Sequence, residues 1–304
     1  MRISAWIFTL TFGIICVPAV QAGKCQWDKE ALDFSGSAAQ QAACLLRPIK
    51  QAGHVEDSPA VLPAALENSV GQPTHIDLAK LRSYLKAHGI AESEIGGSLD
   101  RPLSKTVGKT PKPALYFVIH DTSALYACKR IEFPAITDSP DNSWNKPANY
   151  QASKQAHLYL TRDGKSYQPQ SRTFETPYTA TQFENKNDID TLRGRFLHIE
   201  NVQLRRPYVA DGAPLLKKNK KGKLVCVNDQ IAQLPGLSEG QSKRLALVYL
   251  AASVRARAWL IPAFHGVLDL DFGTHDDPQN FDLAAWSGHL CQLRSELGDI
   301  CAIP

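Results

Sequence analysis

Residues 115–119 are an unbroken apolar run, and His120 follows it at once in LYFVIHDTSA. A short apolar run of this kind predicts a buried strand, which must lie in a sheet that other elements cover. The strand ends in an imidazole. Far downstream, AFHGVLDLDFGTHDDP offers His265 and then Asp277, immediately before Pro278. Two neutral imidazoles and one carboxylate form a ligand set suited to zinc that keeps a fourth position open for water. His120 would sit on a strand end, and His265 and Asp277 on a loop after a helix. The Gly and Asp residues between them suit a backbone that folds back around a metal.

The rest of the chain supplies elements of both kinds. Residues 157–161 and 166–168 predict a hairpin turning on Asp163-Gly164, and residues 195–202 and 222–227 predict further strands. Ser238 with Gln241 fits a capping box that opens a helix running to residue 258, with Pro262 closing that helical region. A last helix is expected over residues 283–297. Helices interleaved with strands and a central hairpin predict an α/β fold, with a mixed central β-sheet flanked by helices. Residues 23–105 lack strand-like runs. They carry helical periodicity at 29–46 and 76–88, with Asp77 as an N-cap residue and Gly89 as a stop. They read as a mainly helical N-terminal extension of a domain spanning 106–304.

The first 22 residues have the pattern of a signal peptide: Arg2, an apolar stretch from Ala5 to Val20, and small residues at Val20 and Ala22. That predicts a periplasmic or secreted protein with no stable membrane span. Cysteine usage agrees. Cys16 leaves with the signal, and Cys25, Cys44, Cys128, Cys226, Cys291 and Cys301 remain for disulfides. Local closure would pair Cys25 with Cys44 and Cys291 with Cys301, leaving Cys128 with Cys226. The formal charge of +4 is too small for a nucleic-acid footprint. The one dense basic run, Lys217 to Lys223, reads as a solvated hairpin tip, or as an accessory attraction to an anionic polymer.

Taken in order, FVIHDTSA, AHLYLTRDGKSYQ, FLHIENV, a Gln-led helix and AFHG…THDDPQNFD resemble the zinc-dependent N-acetylmuramoyl-L-alanine amidases. This amidase type 2 superfamily includes the peptidoglycan recognition proteins. The resemblance covers roughly residues 110–290. It implies that His120, His265 and Asp277 are zinc ligands. It implies that Glu200 is the general base that takes a proton from water. His275 stands where the family often has lysine, and an imidazolium there would support a developing oxyanion. His198 replaces a usual glycine, and Gln279 replaces the glycine after Asp-Pro. Asp276 is an alternative ligand one residue away. His157 faces either substrate or core, and Trp144 is a candidate for stacking on a sugar ring.

The implied function is an exported amidase acting on peptidoglycan or muropeptides at the bond between N-acetylmuramic acid and L-alanine. The alternatives are a catalytically impaired wall-binding module and a zinc amidase for another wall-fragment amide. Oligomeric state is not legible.

Overall fold

The structure, a computed structural model, describes residues 25–50, 54–125, 132–208, 216–226, 230–273 and 275–301. The expected signal peptide and Cys128 lie outside the described residues. The chain opens with a ribbon of β1 (Trp27–Asp28) and β2 (Asp33–Phe34), followed by α1 (Ala38–Leu45), α2 (Ala64–Glu67) and α3 (Leu78–Ala87). Then come β3 (Tyr116–Asp121), β4 (Ala124–Leu125), α4 (Ala148–Gln151), β5 (Leu158–Leu160) and β6 (Ser166–Tyr167). The short helices α5 (Gln182–Lys186) and α6 (Ile189–Leu192) lead to β7 (Phe196–Asn201) and β8 (Leu204–Pro207). A hairpin of β9 (Leu216–Lys218) and β10 (Leu224–Cys226) precedes β11 (Gln230–Ala232). The chain ends with α7 (Glu239–Ala256), β12 (Ile261–Phe264), α8 (His265–Leu268) and α9 (Leu283–Glu296).

The fold is α/β, as the sequence predicts. A five-stranded sheet runs in the order β12-β3-β7-β5-β6, parallel except for the β5–β6 hairpin. A smaller sheet, β11-β8-β4, extends beyond the ends of β3 and β7. Every residue of β3 is buried. The basic run forms the exposed β9–β10 turn, where Gly222 takes φ +72°.

Alternation along the strands assigns each face a cover. Phe117 on one face meets Tyr249 of α7 edge-on, and Tyr249 meets Trp286 of α9. On the other face Tyr116 stacks on Phe196, its register partner, and the ribbon lays Trp27 and Phe34 over them together with Phe183 of α5. The Phe34 N–H donates to Tyr116 Oη (2.9 Å), and Arg195 Nε donates to Leu32 O (3.0 Å). The N-terminal segment therefore supplies one of the sheet's two covering layers.

Two local expectations are corrected. Residues 29–46 are not one helix. Leu32 and Gly36 have positive φ values of 50° and 96°, which no helix can carry, so the chain turns into the ribbon. The helix starts only after Ser37, whose side chain closes a capping box with Gln40. Pro262 likewise does not merely follow a helix; it lies within β12. This is an edge strand, where a missing N–H is tolerated. Ile261 N–H donates inward to Leu115 O (2.9 Å), so by alternation the Pro262 nitrogen faces outward and no ladder bond is lost.

Of the expected disulfides, Cys25–Cys44 and Cys291–Cys301 form. Both fit an oxidising compartment. Among the described residues no helix is long and apolar enough to cross a membrane.

Candidate metal centre

Strand register builds the site. His120 pairs with Glu200 across β3 and β7, so both side chains emerge on the same face. Phe264 pairs with Ile119, so His265, the next residue along, arrives level with His120. His265 thus follows an edge strand directly, where the sequence suggested a loop after a helix. Asp277 is drawn in from the loop before α9. Its backbone carbonyl accepts from Gly266 N–H (2.7 Å), and its Oδ2 accepts from Asp121 N–H (3.1 Å). A Cβ at Gly266 would crowd Ile49 Cδ1 (2.9 Å) and the backbone Asp277 N and His275 O (3.1 Å each), so a side chain there would press on the loop that carries Asp277.

His120, His265 and Asp277 are all buried, and their donor atoms lie within 4.8 Å of one another. Asp277 Oδ2 is 3.0 Å from His265 Nδ1 and 4.0 Å from His120 Nδ1. Each imidazole has its other nitrogen engaged: His265 Nε2 lies 3.0 Å from Asp269 Oδ2, and His120 Nε2 lies 3.0 Å from His198 Nδ1. Histidines that bind metals are commonly held in this way, one nitrogen tied and the other presented. The donor set and its outer contacts fit a metal ion. A second group, His265, Asp269 and His275, also converges, but it shares His265. In that group Asp269 is already occupied, accepting from Gln182 N–H (2.9 Å) and Phe183 N–H (2.8 Å) at the start of α5.

Charges follow the geometry. Burial and then His265 hold His120 well below the usual imidazole range, so it is neutral. Burial also pulls His265 down, but Asp277 and Asp269 outweigh it and push its pKa up to about 10. Asp277 is lowered despite burial, chiefly by His265. Burial and then Asp277 raise Glu200 well above the carboxylate range, and its Oε2 is enclosed with no hydrogen-bond partner.

The alternative ligand Asp276 is turned elsewhere: its Oδ2 accepts from Gln279 Nε2 (2.6 Å), and its Oδ1 lies 3.6 Å from Arg205. Gln279 is fully buried and also accepts from Ala232 N–H (3.0 Å), so it pins the loop. Arg205, fully buried, donates to Asp121 (2.6 Å); burial still leaves the Asp121 pKa up at about 6. His275 is partly exposed, with Nδ1 2.6 Å from Asp269 Oδ2.

His157 does not face a cleft. It is enclosed between His198 N–H, which donates to its Nδ1 (2.9 Å), and Thr176 O. Trp144 lines a groove of roughly 370 Å³ with Thr122, Ala124, Ser143, Asn149 and Tyr150, one residue beyond the end of β3. Trp259 and Trp286 belong to the core.

Sequence reading missed Asp269 and Glu184. The spacing His265-x-x-x-Asp269 was a usable signal, since residues four apart share a helical face. Comparison with known proteins gave no match: no family model, no curated protein and no solved structure aligns with the chain.

Proposed function

We propose that this is an exported zinc amidase that hydrolyses the amide between N-acetylmuramic acid and the L-alanine of a peptidoglycan stem peptide. The observation that carries the reading is the buried convergence of His120, His265 and Asp277 beside a carboxylate, Glu200, with one oxygen unpartnered. The substrate assignment rests on the ordered resemblance between residues 110 and 290. His120 Nδ1, His265 Nδ1 and Asp277 Oδ2 would hold the zinc. Bound zinc supplies Lewis-acid polarisation of the scissile carbonyl and lowers the pKa of water. A dication there also offsets the burial and Asp277 repulsion that keep Glu200 protonated.

Glu200 then takes the proton of the attacking water as its oxygen bonds to the lactyl carbonyl carbon. The same carboxyl returns that proton to the alanine nitrogen as the C–N bond breaks, giving a carboxylate and a free amine. His275, held by Asp269 at Nδ1, turns Nε2 away from that carboxylate and supports the oxyanion. Trp144 lies where a sugar ring could stack.

The test is mass spectrometry of what the purified protein releases from intact sacculi, with and without a zinc chelator. Release of stem peptides with a free L-alanine amino terminus, abolished by the chelator, is the expected result. Tight binding without release would replace the enzyme by a wall-binding module, and a different fragment would overturn the bond assignment.

A further inference from the structure

The face of the sheet that carries the ligands also carries a histidine to which neither the fold nor the reaction assigns a task. His198 lies two residues before Glu200 on β7, is completely buried, and places Nδ1 3.0 Å from Nε2 of His120. Its own Nε2 lies 3.2 Å from Glu184 Oε2, a ring nitrogen facing a carboxylate oxygen although outside hydrogen-bond alignment. Glu184 is itself fixed. Its Oε2 accepts from Ala180 N–H (3.0 Å), Thr181 N–H (3.1 Å) and Thr181 Oγ1 (3.0 Å), in the capping box that starts α5.

We propose that His198 and Glu184 are positioning residues that hold His120 in a single tautomer, with its proton on Nε2 and the Nδ1 lone pair turned toward Asp277. This rests on the metal-site reading above for its purpose, though not for its geometry. The direction of the chain follows from what each group can do. A carboxylate oxygen only accepts, so Glu184 favours the proton of His198 on Nε2. His198 Nδ1 is then an acceptor, and His120 must donate to it from Nε2. His157 lies parallel to His198, with centroids 5.6 Å apart and planes 2° apart, and its Nδ1 accepts from the His198 backbone N–H (2.9 Å), so the two rings pack against each other on the same face.

The same five-residue helix braces the other ligand. Asp269, which holds His265 Nε2, accepts from the Gln182 and Phe183 N–H groups at the start of α5. Glu184 stands one residue further on. One helix start therefore fixes both imidazoles, through Asp269 for His265 and through Glu184 and His198 for His120.

Two readouts test this in the full-length protein. The first is the imidazole nitrogen spectrum of metal-free protein, which reports the tautomer of His120 whether or not any metal binds. The second is zinc affinity by chelator competition for wild type, His198→Asn and His198→Phe. Asparagine places an amide oxygen where Nδ1 stands, whereas phenylalanine keeps the ring shape and offers no acceptor. Wild-type His120 is expected as the Nε2–H tautomer. His198→Phe should mix the tautomers and lose zinc affinity by about 10–100-fold, with His198→Asn restoring it to within about threefold. A wild-type His120 protonated on Nδ1, or a folded His198→Phe protein that binds zinc like wild type, overturns the proposal. Should His198→Phe fail to fold, the wild-type tautomer and His198→Asn decide it. Should wild type bind no zinc, the functional reading fails while the tautomer measurement still judges this one.

Discussion

At the scale of single residues, the proposed function divides the site into groups that would hold a metal and one, Glu200, that would move a proton. Glu200 pairs in register with His120 but keeps one oxygen enclosed and unpartnered, an arrangement that costs stability and points to chemistry. Glu200→Gln preserves size and removes the base. It should lower turnover about 100- to 10,000-fold with zinc affinity intact, as read by peptide release beside chelator competition. Turnover at the wild-type level would remove Glu200 from the mechanism. The donors His120, His265 and Asp277 were legible in the sequence because each sits at a punctuation point: the end of an apolar run or the residue before a proline. Asp269 was legible only through its four-residue spacing from His265, and the contact of Glu184 with His198 was not legible at all, since it exists only when α5 is set against the sheet.

Among the elements, α7 shows how a cap can tie a helix into a sheet. Ser238 and Gln241 close the capping box expected from the sequence. The buried Gln241 also donates through Nε2 to Leu160 O (3.2 Å) and Val202 O (2.9 Å), at the ends of β5 and β7. Gln241→Leu keeps the bulk but leaves those carbonyls without that donor. A loss of about 2–4 kcal/mol in urea unfolding is expected; an unchanged midpoint would show that the cap is only local. The central strands were readable because they are apolar and continuous. β12 was not, because a proline in WLIPAF reads as a breaker until the strand is known to be an edge. The ribbon was hidden for the opposite reason: residues 29–46 keep helical spacing, and only the positive φ of Leu32 and Gly36 breaks it.

For the whole molecule, the N-terminal segment is part of the fold's support. Trp27 and Phe34 cover the sheet face whose far end carries the histidines, α1 packs on β12, and Ile49 O accepts from Asn280 N–H (3.0 Å) in the loop of Asp277. A chain lacking residues 25–105 should therefore expose that aromatic face and give no cooperative thermal transition. A truncated protein that melts sharply and binds zinc would show the opposite. The segment's helical character was legible in its sequence; its place against the sheet depends on long-range contacts that no local pattern records. Pro262, with its nitrogen facing outward from the edge strand, bears on how copies of the protein meet. An incoming strand finds no donor at that position, which disfavours sheet extension between molecules along β12, the edge that leads into His265.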